Sequence, residues 1–303
     1  MPPSLRPRLL VLIPVTALIG LIGGLSVLRP DRGFEASACR VEARASLPGE
    51  LVESSGLARG VRDSTVLWSH NDGAEGRLYA LDGAGRVQGS TAVPGVRIED
   101  WEAIASGDCD GTPCLLLGDL GDNDGDRAAI AIHEVAEPAH HGAPALLRSV
   151  RLRYPDVAQD AEALFVLPGG RRYIITKGRH GPVTLYQVPQ AGASEAVLTL
   201  ERVRELAPRP GNERDWVTAA SATADGRWVA LRTYRRLQVF AADALLAGGT
   251  PVLEFDLGEL REPQGEGLAI DGRGRVWLSS EAERATDEPT WTQLSCGLPS
   301  VSP

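Results

Sequence analysis

The sequence predicts an all-β fold, a five-bladed β-propeller in which an N-terminal strand completes the last blade. A short word of acidic and small apolar residues recurs five times, at spacings of 47, 60, 55 and 49 residues. Repeats of about fifty residues with strand-rich content are typical of propeller blades. Because the 60-residue unit leaves room for further strands, a six-bladed propeller is the alternative.

Each repeated word opens a predicted hairpin. The words occupy residues 53–58, 100–105, 160–165, 215–220 and 264–269. After each word come a turn and a run of branched and aromatic residues, and four of the five turns carry Asp-Gly or Gly-Gly, which suit tight hairpins. Third strands follow in most units, and fourth strands are predicted around residues 87–93, 150–153, 197–203 and 252–257.

The fifth unit contains only three strands, so its fourth strand must come from elsewhere in the chain. Residues 40–46 alternate as an edge strand does, and we expect them to pair with residues 290–294. This pairing brings Cys39 beside Cys296 and predicts a disulfide between them. Cys109 and Cys114 flank a turn sequence, which predicts a second, local disulfide.

The N-terminus carries an export signal. Arg6 and Arg8 precede an apolar run at residues 9–28, long enough for a signal peptide or a membrane anchor. We therefore expect residues 1–32 to be a cleaved signal peptide or a retained anchor. Residues 39–296 are then the propeller domain and residues 297–303 a disordered tail. The protein is predicted to be secreted or to lie in the cell envelope outside the cytoplasm.

The charge balance excludes some partners. The whole chain has a formal net charge of −9, and the part that follows residue 32 has a net charge of −12. Such an acidic domain is a poor partner for nucleic acid or for anionic membrane surfaces. We expect a monomer that meets a membrane only through its N-terminal segment and binds a small molecule, an ion or a peptide.

The repeats place polar residues at one mouth of the central channel. In a propeller, the innermost strand of a blade starts on the face where the second strand ends. Strand starts supply Glu53, Asp100, Glu102, Asp160, Glu162, Asp215 and Glu266. Strand ends and the residues after them supply His70, Asn71, Asp72, Asp119, Asp122, Asn123, Lys177, Arg232, Tyr234, Ser280 and Glu281.

A ring of carboxylates predicts bound cations or raised pKa values. The predicted metal ligands are Glu53, Glu102, Asp119, Glu162 and Glu266, and the predicted ligand-binding residues are Asn71, Asp72, Asp100, Asp122, Asn123, Asp160, Asp215, Tyr234 and Glu281. Oxygen ligands favour Ca²⁺ over Mg²⁺ or Mn²⁺. The structural alternative is that these residues cap turns and bond the backbone of neighbouring blades.

The words at residues 53–57, 67–72, 100–104, 118–123 and 160–164 together resemble exported bacterial β-propeller proteins. These are loosely related to calcium-dependent phosphotriesterase-like, gluconolactonase-like and phytase-like (esterase-like) propellers. The resemblance implies a divalent ion at the channel mouth. It implies that Glu53, Glu102, Glu162 and Glu266 correspond to the Glu that binds the ion from the start of an inner strand. Asn71, Asp119 and Asn123 then correspond to the Asn or Asp ligands from other blades. This chain departs from that pattern in having more carboxylates and in adding Lys177 and Arg232.

Two functions follow from this site. The first is a binding or scaffold protein that holds a divalent cation or a small ligand at the acidic mouth. The second is a metal-dependent hydrolase of an ester, lactone or phosphoester. In that case Lys177 or Arg232 would hold an anionic group, and His70 or a carboxylate would move protons. The binding function is preferred because the sequence contains no activated nucleophile.

Overall fold

The chain folds into five antiparallel sheets arranged as the blades of a β-propeller. This computed structural model describes residues 39–73, 76–139, 142–190 and 196–299. The predictions for residues 1–32 and for the end of the tail lie outside these ranges and stay predictions. In the described ranges, no helix is long and apolar enough to cross a membrane. The five-bladed architecture is confirmed.

Each blade contains four antiparallel strands in meander order. The first strand of the chain, β1, spans Cys39–Ser46. Blade 1 consists of β2 (Ser54–Arg59), β3 (Leu67–Asn71), β4 (Arg77–Leu81) and β5 (Val87–Ala92). Blade 2 consists of β6 (Trp101–Cys109), β7 (Thr112–Asp119), β8 (Ile130–Ala136) and β9 (Leu146–Arg153), with β13 (Leu198–Thr199) added at its edge.

The other three blades repeat this order. Blade 3 consists of β10 (Ala161–Leu167), β11 (Arg171–Thr176), β12 (Val183–Gln187) and β14 (Glu201–Ala207). Blade 4 consists of β15 (Val217–Ala222), β16 (Trp228–Thr233), β17 (Arg236–Ala241) and β18 (Leu253–Asp256), and one helix, α1 (Ala242–Ala247), follows β17. Blade 5 consists of β19 (Gln264–Ile270), β20 (Arg275–Glu281), β21 (Thr290–Cys296) and β1.

The innermost strands β2, β6, β10, β15 and β19 contact one another in a closed ring. Five apolar clusters lie between successive blades rather than at one centre. Leu116 of β7 packs toward blade 3, whereas Leu115 and Leu117 pack toward blade 1. Because side chains alternate along a strand, a continuous apolar run is what a blade buried on both faces requires.

The last blade is completed by β1, as the sequence predicts. This strand pairs antiparallel with β21, and Cys39 lies opposite Cys296 in the register. Disulfides join Cys39 to Cys296 and Cys109 to Cys114. Both predicted disulfides are confirmed.

The fourth strand of blade 3 differs from the prediction. Residues 197–203 were expected to form this strand as one segment, but the structure divides them. Leu198–Thr199 pairs in parallel with β9 of blade 2, and Glu201–Ala207 is the outer strand of blade 3. The buried Leu198 and Leu200 join the core between blades 2 and 3, and this burial holds the segment across both blades.

The two disulfides should differ in their effect on stability. They span sequence separations of 257 and 5 residues. In the chain-entropy account, the longer loop stabilises by roughly 5 kcal/mol and the shorter by about 2 kcal/mol. We expect the Cys39→Ala/Cys296→Ala variant to lose more unfolding free energy in urea than the Cys109→Ala/Cys114→Ala variant. Equal losses would contradict covalent closure of the ring as a main source of stability.

Candidate functional site

A β-bulge at the start of every innermost strand shapes the channel mouth. At each bulge one residue has no partner on the second strand, and these residues are Ser55, Glu102, Glu162, Thr218 and Glu266. A bulge re-aims its extra side chain out of the strand's alternation. The three glutamates among them line one cavity at the channel mouth while remaining almost excluded from solvent.

The second strands end on the same face. Asp72, Lys177 and Tyr234 directly follow β3, β11 and β16, and Glu281 is the last residue of β20. All four line the cavity, which has a volume of about 750 Å³. The residue after β7 is Leu120, which is buried in the core. The cavity therefore combines glutamates from the innermost strands with charged and aromatic side chains from the second strands.

Three carboxyl groups form a close acidic cluster at the channel mouth. One oxygen from each of Asp72, Asp100 and Glu102 lies within 4.8 Å of the others. Burial, together with the neighbouring Asp72 carboxylate, raises the pKa of Asp100 to about 6. The same two causes raise the pKa of Glu102 well above its usual range, and burial also raises that of Asp72. Like charges in this arrangement favour a cation or a shared proton.

Gly121 makes room for this cluster. A Cβ added at Gly121 would overlap the Asp100 carboxylate and would lie 2.8 Å from Glu102 Cγ. The loop that follows β7 can therefore approach the three carboxyl groups only with glycine at this position. Ser55 Oγ donates a hydrogen bond of 3.1 Å to Glu102 Oε2 and fixes one oxygen of that carboxylate.

Lys177 provides the buried positive charge of the cavity. Its Nζ atom forms an ion pair with Glu162 Oε1, and both side chains are almost fully buried. Lys177 Nζ also lies 5.6 Å from the ring centroid of Trp216 and 6.0 Å from that of Tyr234. Arg179 stacks against the same Trp216 ring at 4.7 Å. Aromatic faces attract such cations, so they hold the lysine and the arginine on one side of the mouth.

Glu266 and Glu281 form the blade 5 side of the cavity. Tyr234 donates a hydrogen bond of 2.8 Å to Glu266 Oε1, and Gln264 Nε2 donates to the same oxygen at 2.9 Å. Gln264 Nε2 also lies 3.2 Å from Glu281 Oε2, so one amide bridges two carboxyl groups. Burial and then the nearby Glu266 carboxylate raise the pKa of Glu281 to about 9.

His70, a predicted acid or base, lies below the mouth. Its ring stacks on Trp101 with centroids 4.0 Å apart, and Nδ1 lies 3.1 Å from the Asn71 carbonyl oxygen. The side chain is fully buried and does not line the cavity. Burial lowers the pKa of His70 to about 3, which keeps the ring neutral.

Arg232, a predicted anion-binding residue, is fully buried between blades 4 and 5. It donates hydrogen bonds to the carbonyl oxygens of Gly267 and Ser279 and pairs with Glu262 at 2.6 Å. The sequence alignment of the fourth word was displaced by one residue. Ala219, not Thr218, occupies the register position of Gly56 in blade 1, and it lies opposite Arg232.

Several predicted ligands bond the backbone instead of facing the cavity. Asp119 accepts hydrogen bonds from the Glu99 and Asp100 amides and pairs with Arg127. Other residues in this class are Asp122, which caps its own loop, Asp160, which accepts from the Asp122 amide, and Asn71, which accepts from the Glu53 amide. The contacts of these four residues therefore match the alternative prediction, in which the polar residues cap turns and bond the backbone.

The remaining predicted residues lie around the rim or away from it. Glu53 is exposed and does not line the cavity, and Ser55 holds the blade 1 bulge position. Asp215 pairs with Arg236 at 3.4 Å, outside the cavity. Asn123 lines the cavity, and Ser280 bonds Thr290 within blade 5. The structure thus brings together Glu102, Glu162, Glu266, Asp72, Asp100, Lys177, Tyr234 and Glu281.

Sequence reasoning missed four residues that line the cavity or bond one of its lining residues. Ser55 carried no signal because it is not acidic, although it holds the position of Glu102 in its own word. Gln264 opens the fifth word but was not assigned a role. Trp216 was not assigned to the site either, yet it is half-buried and lines the cavity. Arg179, two residues beyond Lys177, also lines the cavity and carried no motif signal.

Comparison with solved structures agrees with the fold. The chain is similar to the PQQ-bound form of an aldose sugar dehydrogenase from Streptomyces coelicolor, with a TM-score of 0.51, 12% identity, and coverage of 85% of this chain and 97% of that one. It is also similar to a gluconolactonase from Xanthomonas campestris, with a TM-score of 0.43, 12% identity, and coverage of 84% and 89%. A third similar structure, a streptogramin B lyase, has a TM-score of 0.45, 11% identity, and coverage of 86% and 98%.

No protein-family model and no curated protein sequence matches the chain. At 12% identity, the similarity to the dehydrogenase shows the fold alone. The chain is therefore assigned to the class of β-propellers, and any function must be argued from its own cavity.

His70 should make stability depend on pH. Its pKa is about 3 when folded and 6.5 when unfolded, so the unfolded chain takes up a proton first as pH falls. Stability is therefore lost as pH falls through 6.5 toward 3. We expect urea midpoints of His70→Gln to fall less over this range than those of the unmodified protein. The matched control is His180→Gln, at an exposed histidine. If the urea midpoint of His70→Gln changed with pH as steeply as that of the unmodified protein, the buried neutral ring would be contradicted.

Glu281 should give the opposite trend at higher pH. Unfolded Glu281 ionises near 4.5, whereas the folded protein keeps this proton up to about pH 9. The native state then binds more protons, so stability decreases as pH rises through this window. In the presence of a chelator, we expect the melting temperature to fall with rising pH, and to fall less steeply in Glu281→Gln. A slope that Glu281→Gln leaves unchanged would show that this carboxyl is not held protonated.

Proposed function

We propose that this propeller is a binding protein that holds a divalent cation at Asp72, Asp100 and Glu102, with Ca²⁺ as the preferred ion. The observation that carries the proposal is the approach of three carboxylate oxygens to within 4.8 Å of one another at the channel mouth. The two disulfides indicate an oxidising compartment outside the cytoplasm. Calcium is the hard, oxygen-seeking ion that such compartments commonly supply to proteins.

The electrostatics of the cluster support a cation. All three carboxyl groups have raised pKa values, because burial opposes their ionisation, and the Asp72 carboxylate further opposes that of Asp100 and Glu102. A divalent ion would relieve both effects. Ca²⁺ accepts about six to eight oxygen ligands in variable geometry, whereas Mg²⁺ needs a near-octahedral arrangement. Three carboxylates that can bind through one or two oxygens suit the larger and more tolerant ion.

Binding is favoured over hydrolysis by the positions of the catalytic candidates. The candidates are His70, Lys177 and Arg232, and of these only Lys177 lines the cavity. His70 is stacked and neutral beneath the mouth, and the Arg232 guanidinium is already bonded to two carbonyl oxygens and to Glu262. A screen of ester, lactone and phosphoester substrates with the calcium-loaded protein tests the hydrolase alternative, and turnover abolished by Glu102→Gln would favour it.

Calcium should stabilise the protein through this cluster. We expect Ca²⁺ to raise the melting temperature of chelator-treated protein, because a ligand that binds only the folded state stabilises it. Asp100→Asn and Glu102→Gln each remove one charged ligand and should weaken Ca²⁺ binding at least about tenfold, as loss of a charged contact commonly does. Isothermal titration calorimetry measures the affinities, with Mg²⁺ and Mn²⁺ as comparison ions.

Glu254→Gln is the matched control for these variants. Glu254 lies on β18 and accepts a hydrogen bond from Gln238 at 2.7 Å. The side-chain oxygen of a glutamine at position 254 can accept the same bond. It does not line the cavity, so this variant should bind Ca²⁺ as the unmodified protein does. Unmodified protein that shows no Ca²⁺ heat and no melting shift would overturn the proposal.

A further inference from the structure

The side of the cavity formed by blades 3 and 5 carries acidic groups beyond the three-carboxylate cluster. Glu266 is 2% exposed and Glu162 is 4% exposed, and both line the cavity. The Oε2 atom of each is buried and has no hydrogen-bond partner in the part of the chain that the structure describes. A buried carboxylate oxygen without a donor is costly, so these two oxygens mark positions where a ligand can donate.

The neighbouring groups hold these carboxylates in place. Glu162 is fixed through its other oxygen by Lys177, and Glu266 is fixed through its other oxygen by Tyr234 and Gln264. Gln264 also bonds Glu281, which brings a third carboxyl group to this side. The site is therefore built by hydrogen bonds that occupy one oxygen of each glutamate and leave the second oxygen available.

The charges on this side are not balanced. Glu162, Glu266 and Glu281 line the cavity there, and among its described lining residues Lys177 is the buried cation. Glu281 keeps its proton up to about pH 9, so the charged carboxylates on this side are Glu162 and Glu266, and Lys177 neutralises one of them through its ion pair with Glu162. The remaining deficit favours one further positive charge in the cavity.

We propose that the unpartnered oxygens of Glu162 and Glu266, with Glu281 beside them, form a second subsite that binds the ammonium group of a small organic ligand. An ammonium group has three donors in a compact arrangement, so it can bond to single oxygens from different side chains. A planar guanidinium instead suits the two oxygens of one carboxylate. The cavity volume of about 750 Å³ leaves space for the rest of such a molecule, since small-molecule sites commonly measure about 300 to 1,000 Å³.

A second divalent ion fits this side less well. The only close group of three potential metal ligands found in the described residues is Asp72, Asp100 and Glu102. Lys177 would repel a divalent ion twice as strongly as a monovalent ammonium at the same distance. The rings of Trp216 and Tyr234, which already lie near one ammonium, also suit an organic cation.

The rim indicates a small ligand rather than a basic peptide. Arg179, Arg214, Arg235 and Arg261 line the outer part of the cavity, together with Glu213 and Glu283. A peptide with several positive charges would meet the four arginines before it reached the glutamates. A molecule with one ammonium group and a neutral or anionic remainder avoids this repulsion.

The single lysine of the chain provides a direct test. Lys177 is the only lysine in the sequence, so labelling lysine side chains with ¹⁵N and ¹³C gives one NMR signal from the site itself. Ethanolamine and ethylene glycol are the probes, since they differ by one ammonium group. At constant ionic strength, we expect ethanolamine to shift the Lys177 signal in a saturable way and ethylene glycol to leave it in place.

Variants separate this subsite from the calcium site. Glu266→Gln keeps an oxygen for Tyr234 and Gln264 but removes the charge, and should weaken ethanolamine binding at least about tenfold, as loss of a charged hydrogen-bond partner commonly does. Glu254→Gln should bind ethanolamine as the unmodified protein does. Where Glu266→Gln fails to fold, Glu162→Gln, which removes the charge of the other proposed ligand, takes its place in the same titration.

Three results would overturn the subsite. These are an equal response to both probes, a response to ethanolamine no larger than that to sodium, or unchanged ethanolamine binding in both Glu266→Gln and Glu162→Gln. A separate Ca²⁺ titration of the same samples shows whether the three-carboxylate site is present. Failure of calcium binding is therefore distinguished from failure of ammonium binding.

Discussion

The pairing of β1 with β21 is the interaction on which the other features depend. It supplies the fourth strand of blade 5 and so sets that blade against blade 1. Across this junction Ser54 Oγ bonds Ser279 Oγ at 2.9 Å, and Glu53 forms a β-bridge with Glu281. Asp72 of blade 1 and Glu281 of blade 5 therefore face the same cavity, although 209 positions of sequence separate their numbers.

Closure of the ring makes an otherwise unfavourable charge arrangement possible. Five blades each contribute a bulged residue at the start of the innermost strand, and three of these residues are glutamates. Their carboxyl groups are nearly excluded from solvent, and this burial raises the pKa of Glu102 and Glu266. The neighbouring Asp72 and Glu266 carboxylates raise the pKa of Glu102 further. The apolar layers between the blades supply the stability that this arrangement requires.

Two kinds of polar residue are distinguished by their hydrogen bonds. Asp119 and Arg232 have backbone partners and hold loops and blades together. Glu162 and Glu266 each have one oxygen held by the protein and a second oxygen without a partner among the residues that the structure describes. The first kind accounts for the architecture, whereas the second kind carries the binding chemistry that we propose. Both kinds look alike in the repeated words, because acidic residues serve either role.

The sequence by itself favoured five blades over six and determined the closing strand and both disulfides, because repeat spacing and strand alternation are local consequences of chain geometry. It also determined which glutamates reach the mouth, through the third position of the words that contain Glu102, Glu162 and Glu266. The sequence predicted all of the following residues at the mouth: His70, Asp72, Lys177, Arg232 and Tyr234. Only the tertiary structure decided that His70 and Arg232 lie beneath the mouth while the other three face the cavity. The reason is physical: each bulge offsets the pairing of the first two strands by one residue, and this offset depends on contacts between blades that no single repeat contains.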